Sequence, residues 1–147
     1  MALTLTLRPS EKVMINGLVL ENIHDGKARL LIKERAHILR SRDMMDEAEA
    51  ISPATRVYYQ AMKLSGGDAT GDLRSLCSAV TVFERSNAGC PDLLAVCVHI
   101  IEQAQAGDFY AAMVASRKLI AAEVPDHPIL RPQERQKAPS EAAETAG

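Results

Sequence analysis

The residues best suited to recognise a ligand are arginines at the ends of short apolar runs near the N-terminus. Arg8 follows an alternating Leu-Thr run, and Arg40 and Arg42 end the run that begins at residue 36. A guanidinium group offers a planar fork of donors that matches a phosphate or the edge of guanine. If the two runs are neighbouring strands, these arginines converge on one edge of a sheet. The residues alone leave open the alternative that they are ordinary surface arginines.

No pattern in the sequence has the spacing that catalysis or metal binding requires. Cys77, Cys90 and Cys97 are the three cysteines, and no two of them form a Cys-x-x-Cys pair. The sequence also contains no nucleophile elbow, no phosphate-binding loop and no dinucleotide-binding glycine pattern. We therefore expect a protein that is not an enzyme, with no metal and no cofactor, whose cysteines pack in the interior.

Composition places the chain among ordinary globular proteins. Of its 147 residues, 47% are hydrophobic and 24% are charged, which excludes collagen-like, coiled-coil and wholly disordered chains. Apolar runs stay short of the roughly 18 residues that a membrane-spanning helix needs. The N-terminus lacks the basic and apolar regions of a signal peptide. We expect a cytoplasmic protein without membrane contact.

Charge is distributed unevenly along the chain. Residues 1–45 contain eight Lys or Arg and five Asp or Glu, whereas residues 46–124 contain six basic and ten acidic residues. A basic segment joined to an acidic one indicates that the two parts have different partners. The alternative is that both segments only present charged side chains to solvent and have no separate partners.

The first forty residues predict five short strands. Leucines alternate with threonines from Leu3, and apolar pairs flank Asn16-Gly17, which is a strong signal for a two-residue hairpin turn. Asp25-Gly26 repeats this signal and predicts a second hairpin, between residues 20–23 and 28–32. Residues 36–40 provide the fifth strand.

From Ser52 the apolar spacing becomes helical. Ser52-Pro53 predicts a capped helix start, and the spacing predicts helices over about 53–64, 71–87, from Pro91, and from the cap Asp108. On the second helix, we expect one buried stripe formed by Leu73, Leu76, Cys77, Val80 and Phe83.

These elements predict an α+β fold with three parts. Residues 1–45 form a small antiparallel β-rich part, and residues 46–124 form a bundle of about four helices. Residues 125–147 are rich in proline and poor in apolar anchors, so we expect a disordered tail.

Four segments together resemble the FlbT family of flagellin post-transcriptional regulators. They are LTLRPSEKVMINGLVLEN, ILRSRDMM, ISPATRVYYQAM and DFYAAMVASRKLIAAE, and they occur in the same order across about residues 1–123. The resemblance implies a regulator that binds the 5′ untranslated region of flagellin messenger RNA, affects translation and decay, and acts as a repressor. It brings no catalytic residue and no cofactor.

The opening LTLRPSEKVMING is also similar to the carbon storage regulator (CsrA) family, whose five-stranded interlocked dimers bind single-stranded RNA through strand edges. Ser10 stands where that family prefers glycine. This resemblance implies a CsrA-like N-terminal part. The RNA-binding residues that it implies are Leu5, Thr6, Arg8, Lys12, Arg40 and Arg42.

Two hypotheses about partners follow. In the first, the β-rich part binds the flagellin mRNA leader and the helices bind flagellin or another flagellar regulator. In the second, the helices act as an interaction or chaperone-like assembly factor that binds flagellin without touching RNA. Free strand edges also predict a homodimer.

Overall fold

The computed structural model describes residues 2–130, which fold as two small antiparallel β-sheets followed by four α-helices. The predicted α+β class is confirmed. The two sheets pack face to face, and the helices cover the outer face of the three-stranded sheet. The order of layers is therefore sheet, sheet, helices.

All five predicted strands form. In the two-stranded sheet, β1 (Leu3–Leu7) pairs antiparallel with β4 (Ala28–Ile32). In the three-stranded sheet, β2 (Lys12–Ile15) lies between β3 (Leu18–Glu21) and β5 (Ile38–Arg40).

The turn between β2 and β3 is the hairpin turn predicted from Asn16-Gly17. Asn16 has a φ of 51° and Gly17 a φ of 84°. Two successive positive φ angles are what a type I′ turn requires, and its twist matches that of the strands. This prediction is confirmed.

The second predicted hairpin, at Asp25-Gly26, is wrong. β3 pairs with β2, and β4 pairs with β1 instead of folding back onto β3. The buried Asn22 explains the change of direction, because its Nδ2 donates to the carbonyls of Leu7 and Arg8, both at 3.1 Å, and of Gly26, at 3.0 Å. These bonds direct the chain after β3 toward β1.

A small apolar core fills the space between the two sheets. Leu5, Leu7 and Val13 are buried in it, and Leu3, Ile15, Leu30, Ile32 and Ile38 pack around them. The alternation of leucine and threonine in β1 produces this arrangement, since successive side chains point to opposite faces of a strand.

Each predicted helix forms close to its expected bounds: α1 is Pro53–Ser65, α2 is Leu73–Ser86, α3 is Pro91–Gln105 and α4 is Phe109–Glu123. Ser52, Asp72 and Asp108 cap α1, α2 and α4 with side-chain oxygens, as cap residues do. Within residues 2–130, no helix has the length and apolar character needed to cross a membrane.

The buried stripe of α2 is narrower than expected. Leu76, Val80 and Phe83 are buried, but Leu73 and Cys77 are exposed. The reason is that α2 packs against α1 and α3 only, so a single i, i+4, i+7 row meets neighbours. Cys90 is exposed too, which leaves Cys97 as the one cysteine that packs in the interior as predicted.

The helical core extends into the β-rich part. Met14, Leu39 and Met45 are buried in the same cluster as α1 and α4. In addition, the amide of Gly17 donates to the carbonyl of Gly66 at 2.7 Å, which joins the hairpin turn to the end of α1. Residue 45 therefore marks a change of secondary structure, and side chains of β2 and β5 contribute to the helical core.

The first residues of the predicted disordered tail are ordered. Pro128–Leu130 forms a single 3₁₀ turn, and Ile129 is buried among residues of the helical core. An aliphatic side chain of this size provides enough burial to hold a short segment in place. The rest of the predicted tail lies outside the described residues.

Candidate nucleic-acid interface

Glu11 brings two of the predicted arginines together. Its Oε1 lies 3.8 Å from Nε of Arg8, and its Oε2 lies 3.9 Å from Nη2 of Arg40. The backbone amide of Arg8 also donates to Oε1 at 2.8 Å. The tight turn between β1 and β2, with Ser10 at a φ of 67°, allows this contact.

The expected convergence of Arg8 and Arg40 therefore occurs, although β1 and β5 are not hydrogen-bonded neighbours. β5 pairs with β2, and Nη2 of Arg40 reaches across to donate to the carbonyl of Thr6 at 3.3 Å. A side chain, and not a shared ladder, connects the two strands.

The two arginines differ sharply in access. The Arg8 side chain is 41% exposed, whereas the Arg40 side chain is 4% exposed and lies beneath the surface. Leu5 faces the small core, and Thr6 is also buried. A ligand at this surface would meet Arg8 before it met Leu5, Thr6 or Arg40, and the RNA-binding role of all six residues stays a prediction.

Arg8 and Lys12 line one shallow depression of about 520 Å³ at the turn between β1 and β2, and its other lining residues are Pro9, Ser10, Glu11 and Ser41. Lys12 is exposed at the start of β2. The depression therefore presents two cationic side chains to solvent at one end of the sheets.

Arg42 lies in the short 3₁₀ turn Ser41–Asp43 that follows β5. Its positive charge acts on Tyr110 of α4, whose pKa is raised by burial and by the neighbouring Asp43 carboxylate. The position places Arg42 over a buried polar cluster and away from the depression at Arg8.

That polar cluster is formed by Asp43, Tyr58, Tyr110 and Arg117. The Asp43 carboxylate accepts hydrogen bonds from Nη2 of Arg117 and from the Tyr110 hydroxyl, and the Asp43 carbonyl accepts one from the Tyr58 hydroxyl at 2.7 Å. Burial raises the pKa of Tyr58, so this phenol remains a neutral donor. The cluster fixes β5 against α1 and α4.

The exposed cations in and beside β4 were not predicted as a site from the sequence. Arg29 lies in β4, Lys27 precedes the strand, and Lys33 and Arg35 follow it. The β4 cationic row, defined as Lys27, Arg29, Lys33 and Arg35, is exposed along its length. Among residues 2–130, none of the four has an ion-pair partner. In the sequence these four residues make up half of the eight Lys and Arg of residues 1–45.

The β4 cationic row begins at the end of the sheet where Arg8 lies. Leu7 pairs with Ala28 in the β1–β4 ladder. Arg8 follows Leu7 and Lys27 precedes Ala28, so the two cations lie at the same end of this sheet. Farther along, Arg29 stands opposite Thr6. Cationic side chains therefore extend from the depression along β4.

Possible metal ligands are dispersed over the described residues. Residues 2–130 contain no group of three or more His, Cys, Asp or Glu side chains placed to hold a metal ion. The arrangement on the sheets is suited to binding a polyanion through its phosphates.

Comparison with known proteins identifies one family. Residues 3–125 match the family described as flagellar protein FlbT. A relative from Caulobacter sp. (strain K31), named probable flagellum biosynthesis repressor protein FlbT, is 34% identical over 125 residues, covering 84% of this chain and 94% of the relative.

Two further relatives carry similar names. The flagellum biosynthesis repressor protein FlbT of Caulobacter vibrioides (strain ATCC 19089 / CIP 103742 / CB 15) is 29% identical over 84% of this chain and 87% of its own. The probable flagellum biosynthesis repressor protein FlbT 1 of Bradyrhizobium diazoefficiens is 35% identical over 84% of this chain and 83% of its own. No solved structure matches the chain.

Proposed function

The chain belongs to the FlbT family of flagellar proteins, and from this premise we propose that it represses flagellum biosynthesis by binding the 5′ untranslated region of flagellin messenger RNA. Binding there lowers translation and promotes decay of the message. The names of its relatives support the repressor role, and the cationic surface of the sheets supports RNA as the ligand.

The observation that carries the proposal is the β4 cationic row. Four exposed basic side chains on and beside one strand, without acidic partners among the described residues, attract a polyanion and release its counterions on binding. Arg117, by contrast, is held in an ion pair with Asp43. The row therefore adds four accessible cations to Arg8 and Lys12 at the depression.

In this proposal the six residues predicted from the sequence have two kinds of role. Arg8 and Lys12 contact phosphates from the depression that they line. Leu5, Thr6, Arg40 and Arg42 are positioning residues, since they hold β1 and β5 in place beneath the surface.

The test compares two triple variants of matched charge. The variant K27A/R29A/K33A removes three cations of the β4 cationic row, and the control R74A/R85A/K118A removes three exposed cations of the helices. Binding to flagellin leader RNA is measured by fluorescence anisotropy at several salt concentrations. With about four phosphate contacts, the logarithm of the wild-type binding constant should fall with the logarithm of salt concentration with a slope of roughly −3. In the first variant this slope should shrink to roughly −1.

The control variant should keep the wild-type slope. A flat salt response of the wild-type protein would overturn the proposal that it binds RNA. Equal losses in the two triple variants would show that the β4 cationic row is not the binding site.

A second candidate function is binding of flagellin by the helices. Helices α2 and α3 border a groove of about 330 Å³ with the exposed Val98 at its rim, and the helical segment is acidic. Pull-down with purified flagellin in the absence of RNA separates the two functions. Tight flagellin binding by a protein that does not bind leader RNA would favour this candidate.

A further inference from the structure

Strand β3 is unusual because all four of its residues are exposed. Leu18 is 65% exposed, Val19 49% and Leu20 37%, so aliphatic side chains meet solvent on both faces of the strand. Among the described residues, the outer edge of β3 pairs with no other strand, since β3 ends the order β3-β2-β5. Its backbone donors and acceptors are available to another strand.

The edges of β4 and β1 have features that oppose pairing, whereas β3 has none. Lysine, arginine and proline on an edge strand disfavour association with a second strand. β4 carries the cationic row, which would repel the same row of a second copy, and Nη2 of Arg40 already occupies the Thr6 carbonyl of β1. β3, with sequence LVLE, contains no lysine, arginine or proline.

We propose that β3 is a homodimer interface, where it pairs antiparallel with β3 of a second copy across a two-fold axis centred on Val19. In this register Val19 stands opposite Val19 of the second copy, and Leu18 stands opposite Leu20 of the second copy. A two-fold interface must be self-complementary, and over Leu18 to Leu20 this register pairs aliphatic side chains, while Glu21 falls opposite Gly17, which has no side chain. The occupant is therefore a second copy of this chain.

The neighbouring register is less favourable. Residues directly opposite in a ladder lie on the same face of the sheet. A two-fold axis perpendicular to the sheet must therefore place one residue opposite the same residue of the second copy. An axis at Leu20 would place Val19 opposite Glu21 of the second copy. That contact removes a carboxylate from water without a partner, which is costly.

The dimer is small. A ladder of three residues from each copy, Leu18 to Leu20, buries less than the roughly 1,000 Å² typical of stable complexes. A weak dimer that is populated at about 100 μM is therefore expected. The inference does not depend on RNA binding, and its test uses the full-length protein alone.

The first experiment maps the register by disulfide formation. Exposed Cys77 and Cys90 are replaced by serine, and Val19→Cys or the control Leu31→Cys is then introduced. Opposite residues in an antiparallel pair have Cα atoms about 4.5–5.5 Å apart, within the range that a disulfide spans. Val19→Cys should form a covalent dimer on mild oxidation. Leu31, exposed on β4, should not.

The second experiment disrupts the edge without altering a buried residue. Val19→Lys should weaken dimerisation at least about tenfold in sedimentation velocity, and Leu31→Lys should leave it unchanged. Far-UV circular dichroism checks that both variants are folded. A wild-type protein that sediments as a monomer at about 100 μM overturns the proposal. A dimer unaffected by Val19→Lys, or equal crosslinking through Leu31→Cys, overturns it as well.

Discussion

Individual charged residues in this protein serve mainly to join elements that are distant in the sequence. Glu11 links Arg8 to Arg40, and Asp43 links β5 to Arg117 on α4. Both carboxylates are almost fully enclosed. Glu11 has two cationic partners, whereas removing Arg117 leaves Asp43 without a cation in a poorly solvated site. Breaking such a pair is more costly than replacing both members by apolar groups.

At this scale we predict strong coupling between Asp43 and Arg117. D43N alone should lower the free energy of unfolding by about 3 kcal/mol, because Arg117 then lacks its carboxylate. R117M alone should have a similar cost, since it leaves the buried Asp43 unpaired. The double variant should cost clearly less than the two single losses together, as measured by urea unfolding.

As a control for this cycle, K118A removes the exposed cation next in sequence and should change stability by less than about 0.5 kcal/mol. Additive effects of D43N and R117M would contradict the prediction, because independent sites show no interaction free energy.

At the scale of elements, the β2–β3 hairpin is fixed to the helices by close backbone approach. A Cβ atom at Gly17 would lie 2.8 Å from Cα of Asp68 and 2.9 Å from the carbonyl oxygen of Gly67. Both atoms belong to the backbone that follows α1, so neither can rotate away. Glycine at this position thus satisfies the turn and also the contact between sheet and helices.

Gly17→Ala should therefore destabilise the protein by about 2–4 kcal/mol, since a positive φ and a backbone clash add. Gly107 has a similar φ of 87° but nothing within 4 Å of an added Cβ, so Gly107→Ala should cost only about 1 kcal/mol. Gly89 has neither feature, and its replacement by alanine should be near neutral. Thermal unfolding of the three variants measures the differences.

If Gly17→Ala and Gly107→Ala proved equally destabilising, the φ angle alone would account for both. The close approach of the hairpin to Asp68 would then make no separate contribution to stability.

At the scale of the whole molecule, the sheets and the helices unfold as one unit in our interpretation. Met14 from β2 and Leu39 from β5 are buried in the same cluster as Tyr58 from α1 and Ile129 from the C-terminal turn. Since side chains of the sheets and of the helices belong to this one apolar cluster, losing the sheets would expose the helical core to water.

This continuity predicts a common response to a core substitution in the sheet. Met14→Ala should lower by about 2–3 kcal/mol the free energy of opening measured by native-state hydrogen exchange, at amides of both β2 and α1. Val19→Ala, at the exposed neighbouring strand, serves as the control and should leave the amides of α1 unchanged. Protection in α1 that survives Met14→Ala would instead indicate two independent units.

The sequence predicted the parts whose signals are local. Asn16-Gly17 predicted the hairpin turn, and Ser52-Pro53 predicted the start of α1, because positive φ angles and helix caps depend on neighbouring residues. The same reasoning failed at Asp25-Gly26, where the side chain of Asn22 binds distant carbonyls. Contacts of that kind cannot be read from local spacing.

By itself, the sequence determined the α+β class, the strands and helices, and the family of this protein, since periodicity and residue order are properties of the chain. Only the tertiary structure decided which cations are accessible. It buried Arg40 against Glu11 and left the β4 cationic row exposed, because burial depends on how the two sheets stack and not on residue type.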